Sequence, residues 1–203
     1  MMQRIAVLVS GSGTNLAALA DACDEGRLAA GIVLAASDRE CLALERARER
    51  DIATEVVGVG DFPDREAWSR RLRDVVLERE PDLVVSAGFM RILAPVFVDA
   101  FPMRLINLHP ALLPAFPGAH AVRDALDFGV KVTGTTVHLI DHEVDHGPIL
   151  LQEPVKVRED DTEETLHERI KVVERELLVE GCRLVLEGRV RVDGHRVRID
   201  PPA

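Results

Sequence analysis

Asn107-Leu108-His109-Pro110 ends a short β-type run, and strand alternation puts Asn107 and His109 on the same side of it. Asp145 comes later, just before Gly147-Pro148, at a turn between two further β-type runs. An amide, an imidazole and a carboxylate suit acyl transfer to an amine. That reaction passes through a tetrahedral oxyanion, which preplaced donors such as an amide N–H and an imidazolium stabilise. A carboxylate beside a histidine orients the ring and favours its charged form. The pair can also relay a proton from the attacking amine to the leaving nitrogen, directly or through water. Spacing alone leaves a second reading open, in which His109 caps a strand and Asp145 fills a turn.

Two other segments carry chemical potential. Ala111 to Gly118 is an apolar, proline-rich loop with neither helical nor strand period, the kind of ordered loop that shapes a binding pocket. Ser10-Gly11-Ser12-Gly13-Thr14-Asn15 lies between the first strand and the first helix. Its glycines permit a sharp turn that leaves N–H groups at the positive end of a helix, an anion site. A tight turn without a ligand is the plain alternative. A dinucleotide fingerprint fails at its third glycine, where Leu16 stands, although Asp38 could pass for the ribose-binding acid. No Gly-Lys-Ser/Thr follows, so the segment is not a Walker loop, and a single phosphate fits best.

His142-Glu143-Val144-Asp145-His146 matches His-Glu-x-x-His letter for letter. That zinc pattern works on a helix, where a four-residue spacing puts both imidazoles on one face. Here a β-type run precedes it and Gly147-Pro148 follows at once, so no metal is expected.

The elements that position these residues alternate. Ile5 to Val9, Ile32 to Ala36, Thr54 to Val57, Leu83 to Ala87 and Leu105 to Leu108 read as strands; Leu16 to Cys23, Leu42 to Arg50 and Asp64 to Glu78 read as helices. After Lys131 the rhythm changes, with Val132 to Ile140 and Ile149 to Val157 adjacent and no helix between them. A long helix follows from about Thr162 to Leu186, its apolar stripe being Leu166, Ile170, Val173, Leu177 and Leu184. The charge run Arg158 to Glu164 reads as a solvated loop leading into it. Val190 to Ile199 around Asp193-Gly194 reads as a small hairpin. The expected fold is therefore α/β and Rossmann-like: a mainly parallel twisted sheet flanked by helices, with an antiparallel C-terminal extension. We read 1–203 as one domain. Its halves are about 1–100, with the anion-site loop, and about 101–189, with Asn107, His109 and Asp145, and 190–203 is the tail.

At 203 residues, with 47% hydrophobic and 30% charged residues, the chain can bury a substantial core and is not a disordered protein. A formal charge of -10 repels nucleic acid and anionic membranes, so an anionic substrate needs a local site. The apolar run Ile5 to Val9 is too short for a signal peptide or a membrane span. Cys23, Cys41 and Cys182 form no Cys-x-x-Cys pair, which suits thiols in a reducing cytoplasm.

Several motifs then combine. Gly11-x-Gly13-x-Asn15, Ala87 to Leu93, Asn107-x-His109-Pro110, Leu112-Leu113-Pro114, Gly118, Thr133-Gly134-x-Thr136-x-His138 and Asp145-x-Gly147-Pro148-Ile149 together resemble the folate-dependent formyltransferases, from about Arg4 to Arg189. Within that family the resemblance is to the members that formylate glycinamide ribonucleotide. It implies formyl transfer from 10-formyltetrahydrofolate, a co-substrate, to that amine in purine synthesis, with Asn107, His109 and Asp145 catalytic. It also implies that Gly13, Thr14 and Asn15 bind the ribonucleotide phosphate. Lys171, Val172, Val173 and Glu174 would meet the ribose, Glu174 standing at the edge of the helix stripe. Arg65, Met90, Arg91, Ile92, Leu93 and Asn107 would contact folate, as would Asp141, His142, Glu143, Val144 and Asp145; Arg91 would lie near the glutamate tail. Ala111 departs from the family's more usual serine, which bears on a hydrogen bond of the loop. Formyltetrahydrofolate deformylases resemble the chain less, since they carry an extra N-terminal regulatory domain. Methionyl-tRNA formyltransferases would add a basic C-terminal module. The expected partners are small molecules, without nucleic acid or membrane, and the expected assembly is a monomer or homodimer.

Overall fold

In the computed structural model, which describes residues 2–202, the first apolar run forms β1 (Gln3–Val9), with every side chain from Ile5 to Val9 fully buried. A strand covered on both faces needs such a continuous apolar run. It pairs in parallel with β2 (Ala30–Ser37) on one side and β4 (Leu83–Ser86) on the other, and β2 pairs in parallel with β3 (Thr54–Val56). The remaining strands of this sheet are β5 (Leu105–His109), β6 (Val132–Leu139) and β7 (Ile149–Lys156), in the order β3-β2-β1-β4-β5-β6-β7. β6 and β7 pair antiparallel, as expected from the missing helix between them. β8 (Val190–Asp193) and β9 (Arg196–Ile199) form a separate antiparallel pair at the expected hairpin.

Contacts cluster into two compact units, Met1–Ile106 and Asn107–Ala203. The first contains helices α1 (Thr14–Asp24), α2 (Leu42–Arg48), α3 (Arg65–Leu77) and the short α4 (Pro95–Val98). Asp64 caps α3 by accepting from the Ala67 N–H at 2.8 Å, and Trp68, Leu72, Val75 and Val76 are on its buried face. Trp68 donates its indole N–H to the Val57 carbonyl at 2.8 Å, so the one polar atom of this buried side chain is satisfied.

The second unit contains α5 (Ala121–Phe128) and α6 (Glu163–Leu186). Val122 of α5, Val155 of β7 and Leu166 and Ile170 of α6 form a core cluster. Neither α4 nor α5 appears in the sequence reading; both are too short for a sustained helical period to emerge from flanking loop. Three further expectations are corrected. Leu177 is only half-buried and Leu178 takes its place, because burial follows Leu166, Ile170, Glu174, Leu178 and Cys182 in steps of four. Glu174 therefore stands in the middle of the buried stripe and not at its edge. The charge run before α6 is not wholly solvated: the Asp161 side chain is covered, and it pairs with Arg169 at 2.5 and 2.6 Å and accepts from the Arg158 N–H at 2.7 Å.

Candidate active site

The end of β5 presents Asn107 and His109 two residues apart, as strand alternation requires, and His109 is 3% exposed. Asp145 lies in the irregular segment between β6 and β7, within reach of both. Its Oδ2 is 3.3 Å from His109 Nδ1 and accepts from the Gly118 N–H at 2.7 Å; its Oδ1 is 3.5 Å from Asn107 Nδ2. The three residues singled out by their chemistry are thus brought together, and the backbone of the proline-rich loop joins them through Gly118.

Hydrogen-bond roles follow from the acceptors. His109 Nε2 donates to the Phe116 carbonyl at 2.8 Å while Nδ1 faces the Asp145 carboxylate. Both acceptors are satisfied together only when both ring nitrogens carry hydrogen. His138, on β6, is arranged differently. Its Nδ1 donates to the Leu139 carbonyl at 2.9 Å, which leaves Nε2 to accept from Asn107 Nδ2 at 3.1 Å. Burial pushes the His138 pKa down, opposed by the Leu139 carbonyl and the Asp145 charge, and the neutral ring is the form this bonding needs. The 3.8 Å separation of His138 Nε2 from Asp145 Oδ1 is then a close approach and not an ion pair.

Backbone geometry sets Asp145 in place. Its φ is 53°, in the left-handed region that non-glycine residues seldom occupy, and such conformations concentrate at functional sites. A Cβ on Gly147 would collide with the Leu139 carbonyl, so only glycine lets the chain pass there before β7. The β6–β7 register shifts between Val137 and His138, where an irregularity re-aims the side chain that meets Asn107.

The loop 111–118 is stapled by side chains of β6 and β7. Thr136 Oγ1 donates to the Ala111 carbonyl at 2.6 Å and accepts from the Leu113 N–H at 3.1 Å. Gln152 Nε2 reaches the Leu113 carbonyl at 2.8 Å and Thr136 Oγ1 at 3.0 Å. These bonds use the loop backbone, and the Ala111 side chain is fully buried. His138, Thr136 and Gln152 are the site-supporting residues that the sequence reading left without a role. His138 and Thr136 lay in a quoted motif; nothing adjacent to Gln152 marked it.

In the first unit, Gly13 has φ 76° and precedes α1 without a side-chain cap, and a Cβ there would collide with Ala43. The first-turn N–H groups at Thr14 and Asn15 lie at the positive end of α1. Among the described residues Asn15 Oδ1 is buried without a hydrogen-bond partner. Leu16, where a dinucleotide loop would have its third glycine, is a core side chain. Met90, Arg91 and Ile92 are exposed and Leu93 is partly buried, in a stretch without regular structure. Arg65 opens α3, exposed.

In the second unit, Glu174 is 5% exposed on α6, whereas Val172 is exposed and Lys171 and Val173 are half-buried. Lys171 Nζ pairs with Glu168 at 2.7 Å. Asp141 accepts from the Glu143 N–H at 2.9 Å and meets His146 Nδ1 at 2.9 Å; His142 and Val144 are exposed. The His-Glu-x-x-His stretch is bend and turn, not helix, so its spacing does not align the two rings. Among the described residues no group of three or more His, Cys, Asp or Glu side chains is arranged to hold a metal ion. No helix among them is long and apolar enough to cross a membrane.

Residues 3–182 match the formyl transferase family model. The chain is 50% identical over 202 residues to the phosphoribosylglycinamide formyltransferase of Mycobacterium tuberculosis, covering 97% of this chain and 94% of that protein. The crystal structure of glycinamide ribonucleotide transformylase 1 from Symbiobacterium toebii superposes with a TM-score of 0.97 at 45% identity, over 98% of this chain and 95% of that one. A formyltetrahydrofolate deformylase from Pseudomonas syringae pv. tomato superposes with a TM-score of 0.90 at 28% identity; 99% of this chain covers 67% of that one. Matched along nearly its whole length, with the amide, imidazole and carboxylate gathered at the end of β5, the chain belongs to the formyl transferase family.

Proposed function

We propose that this protein transfers the formyl group of 10-formyltetrahydrofolate to the amine of glycinamide ribonucleotide, a step of purine synthesis. The observation that carries the proposal is the 50% identity, over 97% of the chain, to a phosphoribosylglycinamide formyltransferase. In this reading the amine nitrogen attacks the formyl carbon, and the carbonyl oxygen becomes an oxyanion. Asn107 Nδ2 commits one hydrogen to His138; its 3.5 Å approach to Asp145 is too long for a strong bond, so the second hydrogen can serve the oxyanion. His109 Nε2 supplies the other donor by exchanging the Phe116 carbonyl for the oxyanion. Asp145 holds the imidazolium and takes part in moving the proton from the amine to the leaving folate nitrogen.

Gly13, Thr14 and Asn15 bind the ribonucleotide phosphate in this reading, and Lys171 to Glu174 meet its ribose. The α1 N-terminus and the burial of Glu174 support those roles. Met90 to Leu93, Asp141 to Asp145, Asn107 and Arg65 contact folate. The chain acts as one catalytic domain. Its partners are small molecules, its assembly a monomer or homodimer, and its compartment the cytoplasm, in keeping with three cysteines outside any disulfide.

The test mixes the protein with 10-formyltetrahydrofolate and follows tetrahydrofolate with and without glycinamide ribonucleotide. Rapid release only with the ribonucleotide is expected. Equal release without it would make the protein a deformylase.

A further inference from the structure

Asp38 takes no part in the chemistry above, and it is not the ribose-binding acid its place after β2 suggests. Its side chain is 1% exposed and both carboxylate oxygens are engaged. Ser10 Oγ donates to Oδ1 at 2.9 Å and Arg91 Nε donates to Oδ2 at 2.8 Å. Ser10 Oγ in turn accepts from the Met90 N–H at 3.1 Å, and Arg39 donates to the Ser10 carbonyl at 3.2 Å. Burying a charge is unfavourable unless partners compensate it. Burial raises the Asp38 pKa, but the bonds from Arg91 and Ser10 outweigh it and hold the group below the ordinary carboxylate value. The carboxylate is therefore charged throughout the neutral range.

Arg91 is used on one side only. Its side chain is 44% exposed, and among the described residues its terminal nitrogens make no hydrogen bond to protein. A guanidinium held through Nε keeps its NH1 and NH2 edge outward, the edge that takes a carboxylate with two parallel hydrogen bonds. An unrestrained arginine would lose its rotamer freedom on binding; one already held loses less.

We propose that Asp38 is a positioning residue: it aims the Arg91 fork at a carboxylate of the folate ligand and, through Ser10, ties the segment Met90 to Leu93 to the glycine-rich loop. This rests on the proposed function, in which that segment contacts folate.

The experiment compares the parent enzyme, D38A, D38N, R91A and the D38A/R91A double variant. Each is assayed with 10-formyltetrahydrofolate and with its pteroate analogue as the neutral benzamide, which lacks the glutamate and any free carboxylate. D38A should raise KM for the glutamate-bearing substrate by roughly tenfold, the scale of one charge-assisted bond, with kcat much less affected. KM for the pteroate analogue should stay near the parent's. D38N, which keeps the shape without the charge, should move the same way by a smaller factor and covers the case in which D38A does not fold. The double variant should be no worse than R91A, since both changes remove one interaction. Amide exchange across 88–93 should quicken in D38A. Equal KM increases for both folates, additive single variants, or unchanged exchange across 88–93 would overturn this inference alone. A parent without transferase activity would overturn the proposed function and this inference with it.

Discussion

Replacing Asp145 with Asn keeps size and shape and changes only charge and one donor. In the structure Oδ2 serves Gly118 N–H and His109 Nδ1, while Oδ1 faces Asn107 Nδ2. If the new amide keeps its oxygen toward Gly118 and His109, its NH2 meets the Asn107 NH2, donor against donor. Turned over, its NH2 meets the Gly118 N–H and the histidine. The first orientation is the better one, and it still turns two charge-assisted contacts into neutral ones. Each such contact contributes about 1.5–3 kcal/mol against roughly half of that for a neutral one, and the donor clash adds to the loss. The total is about 3–4 kcal/mol of transition-state stabilisation, or roughly 100- to 1,000-fold in rate at 1.36 kcal/mol per factor of ten. The assay is kcat with both substrates saturating, beside far-ultraviolet circular dichroism to verify folding. KM for the ribonucleotide should change by less than about threefold, because the glycine-rich loop and α6 are untouched. A variant within about fivefold of the parent kcat would refute the assignment of Asp145 to the reaction.

Replacing His138 with Phe removes the acceptor that orients Asn107 and should lower kcat by about tenfold with little change in KM, measured by steady-state kinetics. Because burial holds the His138 pKa below about 6.5, protonation sets in only under acidic conditions. It then turns the Asn107 acceptor into a donor and removes stability progressively as pH falls below that value, so urea midpoints of the parent should decline there more steeply than those of H138F. Gly147→Ala should destabilise by about 2–4 kcal/mol through the collision with the Leu139 carbonyl, and it should depress kcat because Asp145 is displaced; calorimetry and kinetics check both. Asp161→Asn should cost about 2 kcal/mol at neutral pH, or roughly 4–8 °C in Tm. The hydrogen bonds from Arg169 lead in holding the Asp161 pKa well below the ordinary carboxylate value, with burial opposing. Its contribution is complete above about pH 4 and is lost as pH falls toward and through the folded value, so the gap between parent and variant in denaturant titrations should narrow in acid.

What neighbouring residues encode was legible without coordinates. The apolar run Ile5 to Val9 specifies a strand covered on both faces, since no alternating pattern would survive there. Asn107 and His109 share a side because the strand period is two, and Gly147-Pro148 leaves no room for a helix after His146. The candidate set Asn107, His109 and Asp145 was thus recognisable by residue type, spacing and resemblance. Which atoms bond to which was not. That Asn107 meets a neutral His138 depends on an irregular register between β6 and β7, and a shift of one residue would have aimed that ring to the other face. Asp38 matched a ribose-binding pattern until its two oxygens proved to be taken by Ser10 and Arg91, residues 28 and 53 positions away. Glu174 read as the edge of the stripe because the apolar residues around it suggested steps of three and four, whereas the packed face of α6 follows steps of four. Periodicity is a property of adjacent residues and survives in the linear order. Partner choice is decided only when distant segments are pressed together and each buried polar atom must find a donor or acceptor within about 3 Å.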